Sequence, residues 1–220
     1  MKYFGLCLIT MFDCVIFFGF HYRQKYVPED RRGERGQYWG IDFRKSIENY
    51  ANLFSKILGN PIKFYGSTYS SDLEIELMKA YPFEEINIED YKKNENNNFP
   101  KGRNNHLKKG VKLAMESGLD FERVIITRFD LLFDSKISSE EFDFSKLNIC
   151  SRLEKNRFIC DNFYLFPGSM IHNVYDCFKS LDYKPHEIEP KLVEKCGNLH
   201  LVRNENTLVS KLSFYDLVRT

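Results

Sequence analysis

The chain has 220 residues, of which 43% are hydrophobic and 29% are charged, a composition typical of a globular protein that buries a core. Its 32 basic and 31 acidic residues give a net charge of +1, so the sequence does not have the basic character of a nucleic-acid-binding protein, and we expect no nucleic-acid partner. The six cysteines are scattered and do not have the spacing of zinc ligands or of a thioredoxin-like motif.

The N-terminal segment has two interpretations. Residues 3–20 are apolar apart from Thr10 and Asp13, and a short membrane anchor would have this character. The segment is at the lower limit of length for a spanning helix, however, and Asp13 would cost about 3 kcal/mol near the centre of a bilayer. We therefore favour the alternative, in which Cys14–Phe20 is a buried first β-strand.

Predicted helices and strands alternate along the first half of the chain. Asp42 is a candidate N-cap for a helix that ends at Gly59-Asn60-Pro61, where glycine and proline are typical of a helix end. A second strand is predicted over Ile62–Gly66, followed by a short helix and a third strand over Phe83–Ile88. Residues 91–103 are rich in Asn and Lys, and we predict a surface loop there.

The same alternation continues in the second half. A helix is predicted over Asn104–Ser117. It is followed by the run Val124–Thr127, in which every residue is β-branched, a pattern typical of a central strand buried on both faces. Further strands are predicted over Leu147–Leu153, Asn162–Phe166 and Leu199–Val202, and further helices over Ser169–Leu181 and Glu187–Lys195. This pattern predicts an α/β fold with a mostly parallel central sheet flanked by helices, in a single domain over residues 1–220.

The segment directly after the central strand is a candidate functional site. Arg128-Phe129-Asp130 follows Thr127 at once, and ligands of open α/β sheets bind at the carboxyl ends of the strands. A carboxylate fixed at such a strand end is suited to hold Mg²⁺ or Mn²⁺ through its oxygens. Taken alone, the same pattern also fits an ordinary solvated strand end.

The stretch VIITRFDLLF resembles an R-x-D variant of the D-x-D segment of GT-A-type glycosyltransferases. It is similar in particular to small glycosyltransferase-like proteins of large DNA viruses of algae and protists, and to bacterial surface-polysaccharide enzymes. Further resembling segments follow in the expected order over about residues 14 to 205: Phe18–Arg23, Phe43–Asn49, Phe64–Tyr69, Arg103–Asn105 and Cys160–Pro167.

The resemblance implies a GT-A-like, Rossmann-like fold and a glycosyltransferase that moves a hexose or deoxyhexose from a UDP- or GDP-sugar. The acceptor would be a glycan or glycoprotein, as in polysaccharide biosynthesis, and Mn²⁺ or Mg²⁺ would assist. The expected location is the cytoplasm (the host cytoplasm if the chain is viral), or a membrane if the N-terminus is an anchor.

The resemblance also implies roles for individual residues. Asp130 stands in the place of the second acid of D-x-D, which acts in catalysis and holds the metal, and His186 is a candidate additional metal ligand. Arg128 replaces the first acid, which puts metal use in doubt, because a guanidinium can itself bind phosphate oxygens. Asp161 is the candidate general base. The candidates for binding the nucleotide and its phosphates are Phe20, His21, Arg23, Thr68, Tyr69, Arg103 and Arg128.

Two other classes of function compete with this one. A nucleotidyltransferase or hydrolase on a related fold would be expected to carry a glycine-rich phosphate loop, a G-x-S-x-G elbow or an H-E-x-x-H motif, and the sequence contains none of them. A catalytically degenerate GT-A domain that binds glycans or partners without turnover stays open.

Overall fold

The computed structural model describes residues 11–23, 41–90, 99–153, 158–180, 188–202, 206–207 and 215–217. Its centre is a seven-stranded sheet with the order β3-β2-β1-β4-β6-β5-β7. Strand β6 runs antiparallel to both of its neighbours, and the other pairs are parallel. The strands are Phe12–Phe18 (β1), Ile62–Tyr69 (β2), Phe83–Glu89 (β3), Phe121–Arg128 (β4), Asn148–Ile149 (β5), Phe163–Pro167 (β6) and His200–Leu201 (β7).

Helices cover both faces of this sheet. They are Ile47–Ile57 (α1), Glu74–Ala80 (α2), Phe99–Glu116 (α3), Ile171–Lys179 (α4) and Glu189–Cys196 (α5), with 3₁₀ turns at Phe43–Ser46, Ser139–Glu141 and Gly168–Met170. Short strands form three smaller pairings: Tyr22–Arg23 with Ile41–Asp42, Leu131–Phe133 with Tyr215–Leu217, and Arg152–Leu153 with both Phe158–Ile159 and Asn206–Thr207. The predicted α/β fold with a mostly parallel sheet is confirmed.

The alternation of side chains along β1 divides the core into two halves. Val15 and Phe17 face α1 and α2, whereas Cys14, Ile16 and Phe18 face α3, α4 and α5. All five are at most 1% exposed, and full burial of such a side chain is worth about 1.5–3 kcal/mol. This is why an apolar run with no alternation in the sequence forms a central strand: both of its faces are covered.

The structure bears out the strand interpretation of the N-terminal segment for the residues that it describes. β1 spans Phe12–Phe18 rather than Cys14–Phe20, because Gly19 follows with a φ of +91°, a conformation that favours glycine and ends the strand. Asp13 is buried, and its carboxylate accepts hydrogen bonds from the backbone N–H groups of Gly59 (2.8 Å) and Asn60 (2.9 Å) just after α1. Residues 1–10 lie outside the described part.

Over the stretch that can be described, the helices are too short or too polar to cross a bilayer.

Predicted boundaries were also wrong at the start of α3 and at β5. Helix α3 begins at Phe99 rather than Asn104, so residues 99–103 are helical and not part of the loop predicted over 91–103. Pro100 lies in the first turn, where a helix tolerates proline because the N–H groups there have no intrahelical partner. The strand predicted over Leu147–Leu153 is split into β5 and the separate strand Arg152–Leu153, which pairs in another sheet.

Candidate active site at the carboxyl edge of the sheet

The order of the strands creates a switch point between β1 and β4. From β1 the chain proceeds outward through β2 to β3, with α1 and α2 on one face of the sheet. Helix α3 then returns on the other face to β4, which pairs with the opposite side of β1. Ligands of open α/β sheets bind at such a point, outside the carboxyl ends of the strands. We call this region, with the start of α3 and the residues before β6, the carboxyl edge.

Arg128 and Asp130 form a two-pronged ion pair at the end of β4. The Nε and Nη2 atoms of Arg128 donate to the two carboxylate oxygens of Asp130 at 2.7 and 2.5 Å. The Arg128 side chain is 21% exposed and that of Asp130 only 3%. Asp130 is therefore not the solvated acid of an ordinary strand end, because Arg128 covers it. The Nη1 of Arg128 lies 3.5 Å from Oδ1 of Asn162, which precedes β6.

Arg103 and Asp161 form a second pair with the same arrangement. Arg103 lies near the start of α3, and its Nη2 donates to Oδ2 of Asp161. Its side chain is 24% exposed, whereas that of Asp161 is 2% exposed. In both pairs the carboxylate is thus buried and holds in place a guanidinium that reaches solvent.

The ends of β1 and β2 are joined by buried hydrogen bonds. His21 lies between two hydroxyl groups, with Nδ1 2.8 Å from Thr68 Oγ1 and Nε2 2.6 Å from Ser71 Oγ. Burial lowers the pKa of His21 from 6.5 to about 4, so the ring is neutral near pH 7 and can donate at one nitrogen and accept at the other. Beside this network, the rings of Phe20 and Tyr69 lie 4.5 Å apart between centroids.

The start of α3 is fixed to β2 by a similar contact. Nδ1 of His106 lies 2.6 Å from Ser67 Oγ, which also accepts a hydrogen bond from Asn87 at 3.0 Å. The ring of His106 meets that of Tyr69 edge-on at 4.2 Å. A Cβ at Gly102 would overlap the Tyr69 hydroxyl, so a larger residue there would displace the Tyr69 side chain.

Three side chains at the start of α1 and in the turn just before it form hydrogen bonds with the backbone of the segment after β4. Ser46 Oγ donates to the carbonyl of Phe129 at 2.7 Å, and the Tyr50 hydroxyl donates to the carbonyl of Arg128. The Asn49 amide accepts from the N–H of Phe133 at 2.6 Å and donates to its carbonyl at 2.8 Å. The backbone groups after the strand are thereby satisfied, and Arg128 projects from a fixed base.

The structure thus brings together most of the residues that the sequence singled out. Phe20, His21, Thr68, Tyr69, Arg103, Arg128, Asp130 and Asp161 all lie at the carboxyl edge, although His21 and Thr68 are fully buried. His186 lies outside the described residues, as does the side chain of Arg23. Arg44, in the 3₁₀ turn before α1, is exposed and pairs with Asp42 and Glu76.

The Asp130 carboxylate is not arranged to hold a divalent cation. Both oxygens of Asp130 are bound to Arg128, and among the residues whose placement is described no group of three or more His, Cys, Asp or Glu converges as a metal site would require. The role predicted for His186 stays a prediction.

Sequence reasoning missed several residues of this region. Ser46, Asn49 and Tyr50 lie at positions i, i+3 and i+4, which share one helix face, and a polar face at the start of a helix was a readable signal. Asn162 and His106 had no comparable signal, since their contacts join segments far apart in the chain.

Fold and site together define an α/β protein whose carboxyl edge presents two arginines held by buried acids. No protein-family model and no curated protein matches the sequence.

Solved structures of similar fold include the following three. One, from Desulfovibrio desulfuricans, is described as a candidate nucleotide-diphospho-sugar transferase (12% identity, 90% of this chain, 81% of that chain, TM-score 0.46). The second is an inositol-1-phosphate CTP transferase of T. maritima (11% identity, 88% of this chain, 86% of that chain, TM-score 0.44). The third is a nucleoside-diphosphate-sugar pyrophosphorylase of Vibrio cholerae (12% identity, 86% of this chain, 90% of that chain, TM-score 0.46). At TM-scores of 0.44–0.46 these likenesses carry no functional conclusion.

Proposed function

We propose that the chain is a glycosyltransferase that binds a nucleotide-diphosphate sugar at the carboxyl edge and moves the sugar to a glycan or glycoprotein acceptor. The observation that carries this proposal is the Arg128–Asp130 pair at the end of the central strand. A guanidinium held by a buried carboxylate keeps its orientation, and its planar set of N–H donors suits the oxygens of a diphosphate.

The position of Arg103 supports the same proposal. It lies near the N-terminus of α3, an 18-residue helix, where backbone N–H groups without intrahelical partners and the helix dipole favour anions. The two arginines would neutralise the leaving diphosphate in the way that a metal ion does elsewhere. Phe20 and Tyr69 would offer rings to the base of the nucleotide.

Asp161 stays our candidate for the general base that accepts the proton of the acceptor hydroxyl. In the structure it is paired with Arg103, so this role requires Arg103 to move toward a phosphate when the donor binds. Both acids of the carboxyl edge are ion-paired, and a paired carboxylate is a poor general base. This observation favours a second candidate function, a degenerate domain that binds nucleotide sugars without turnover.

The proposal is tested by calorimetry with UDP, GDP, UDP-glucose and GDP-mannose, in EDTA and in Mn²⁺. We expect at least one ligand to bind in EDTA, and Arg128→Ala to weaken its affinity at least about tenfold, as for the loss of a charge-assisted hydrogen bond. Arg44→Ala is the matched control, since Arg44 also pairs with an aspartate two residues away but is exposed.

The outcomes separate the two functions. Release of free sugar from the bound donor, measured over hours, supports the transferase, and tight binding with no release supports the binding domain. If none of the four ligands binds, or if Arg128→Ala binds as the wild type does, the proposed site is wrong.

A further inference from the structure

Three buried polar side chains lie near the carboxyl edge without any hydrogen-bond partner within the described structure. They are Asn104, Ser151 and Tyr164, whose residues are 2%, 0% and 0% exposed. The nitrogen and the oxygen of the Asn104 amide have no hydrogen-bond partner there, and the hydroxyl groups of Ser151 and Tyr164 have none either. Buried polar groups in native proteins nearly always have a partner, and leaving one unmet costs stability. Other buried atoms share this property, but each of these three residues is linked to the Arg103–Asp161 pair: Asn104 follows Arg103 in the chain, Tyr164 is affected by both charges, and Ser151 binds the residue before Asp161.

The position of Asn104 follows from the helix. It is the next residue after Arg103, and it lies three and seven residues before Leu107 and Val111, which α3 packs against the sheet. Those spacings place the three residues on one stripe of the helix. Asn104 therefore occupies a core position at the end of α3 that is nearest to the carboxyl edge.

Tyr164 lies on β6, and Ser151 lies just after β5 beside the residue that precedes Asp161. Tyr164 lies on β6 opposite Ile126 and Ile149 and belongs to the half of the core that α3 covers. Burial raises the pKa of Tyr164, and the nearby charge of Asp161 raises it further while that of Arg103 lowers it. The Ser151 carbonyl accepts a hydrogen bond at 3.0 Å from the N–H of Cys160, the residue before Asp161.

The chemistry of these groups differs from that of the arginines. An amide and two hydroxyls are neutral and can both donate and accept, as the hydroxyl groups of a sugar do, whereas the phosphates suit the guanidinium groups. We propose that Asn104, Ser151 and Tyr164 form a buried polar subsite that receives the hydroxyl groups of the sugar of a nucleotide-diphosphate donor. This inference rests on the proposed function and extends it to the sugar.

Arg103 lies between this subsite and solvent. It is the partly exposed member of its pair, and Asp161 beneath it is buried. When a diphosphate accepts hydrogen bonds from Arg103, the bond between Arg103 and Asp161 breaks. Asp161 can then accept a hydrogen bond from the sugar or the acceptor, and the three neutral groups form hydrogen bonds with the sugar. The free energy that their burial costs in the ligand-free protein is then recovered on binding, which favours donors that carry a sugar over the free nucleotide.

The test compares Tyr164→Phe with the wild type in two measurements. In calorimetry, we expect the variant to bind UDP and GDP as the wild type does, but to lose about tenfold in affinity for whichever of UDP-glucose and GDP-mannose the wild type prefers, as for one lost hydrogen bond. In urea unfolding, we expect the midpoint to be unchanged or higher, because the hydroxyl that is removed has no partner in the ligand-free protein. Asn104→Leu should give the same two results.

Tyr65→Phe is the matched control. Tyr65 is equally buried and belongs to the same half of the core, but its hydroxyl interacts with Ser117 at the far end of α3. We expect this variant to unfold at lower urea with its ligand affinities unchanged.

Each other outcome overturns the inference in a recognisable way. An unchanged sugar preference in Tyr164→Phe would show that the hydroxyl serves only the fold, for example through a bound water. If the wild type binds UDP as tightly as UDP-glucose and GDP as tightly as GDP-mannose, the sugar subsite is absent although the diphosphate site stands. If the wild type binds none of the four, the proposed function fails and the subsite fails with it.

Discussion

Asp130 serves Arg128 in this structure, and this changes what the R-x-D segment can do. Strand β4 ends at Arg128 and the chain bends at Phe129 and Asp130. After this bend the carboxylate of Asp130 lies within hydrogen-bond distance of the guanidinium two residues earlier. The resulting pair has a buried acid and a partly exposed base. Under the proposed function, Asp130 is therefore a positioning residue for the guanidinium, and Arg128 is the group that binds the diphosphate.

A double-mutant cycle distinguishes this role from metal binding. We expect Asp130→Ala to weaken nucleoside-diphosphate binding in the wild type but to have no further effect in Arg128→Ala, because it acts only through Arg128. The single variant should also lose about 1–3 kcal/mol of unfolding free energy, less than for a fully buried pair because Arg128 reaches solvent. Calorimetry in EDTA and urea unfolding provide the measurements. Additive losses of affinity that appear only with Mn²⁺ would instead assign a metal to Asp130.

The sequence contained part of this result. The i, i+2 spacing of Arg128 and Asp130 was visible, and it should have indicated a pair rather than a solvent-facing acid. The pairing of Asp161 with Arg103 was not visible, because those residues are brought together only by the packing of α3 against the strand end before β6.

At the scale of elements, α1 is a support for the segment after β4. Ser46, Asn49 and Tyr50 satisfy the backbone groups of residues 128, 129 and 133, and Phe129 between them stacks on Phe17 of β1 at 4.8 Å. The arginine at the edge is therefore held through backbone contacts that begin on another element.

Asn49→Ala tests this support. The variant loses two hydrogen bonds to Phe133, and we expect it to lose about 1–3 kcal/mol of unfolding free energy and to bind nucleoside diphosphates more weakly, since the base of Arg128 is loosened. Asn52→Ala, at an exposed position of the same helix, should change neither quantity. A variant at Asn49 that loses stability but retains full affinity would show that the segment does not depend on this contact for its geometry.

The elements themselves were predicted with uneven success, for physical reasons. Strand β4 was clear because a continuous β-branched run is typical of a strand that is covered on both faces. The first turn of α3 was missed because its Asn- and Lys-rich context hid Pro100, which marks helix starts as well as loops. Strand Leu131–Phe133 was missed because its partner, Tyr215–Leu217, is far away in the chain.

At the scale of the whole molecule, two buried histidines predict how stability depends on pH. Burial lowers the pKa of His21 and of His106 from 6.5 to about 4; at His106, Glu89 partly opposes this effect and Lys109 adds to it. Between pH 6.5 and pH 4 the unfolded chain therefore binds a proton at each histidine while the folded protein does not. Unfolding is favoured as the pH falls, so the stabilisation is complete above pH 6.5 and is lost on the way to pH 4.

We expect the free energy of unfolding in urea to fall by up to about 2.7 kcal/mol per pH unit in this window, the slope for two protons. His21→Gln and His106→Gln, which retain hydrogen-bonding groups but cannot titrate, should each remove about half of the slope, whatever they do to stability at pH 7.5. Carboxylates with lowered pKa values, such as Asp42, contribute only below about pH 4.5, so their effect is separable. If the free energy of unfolding were constant from pH 7.5 to pH 5, water and protons would have to reach the rings of both His21 and His106 in the folded protein. The closed packing of α3 on the ends of β1 and β2 would then be wrong.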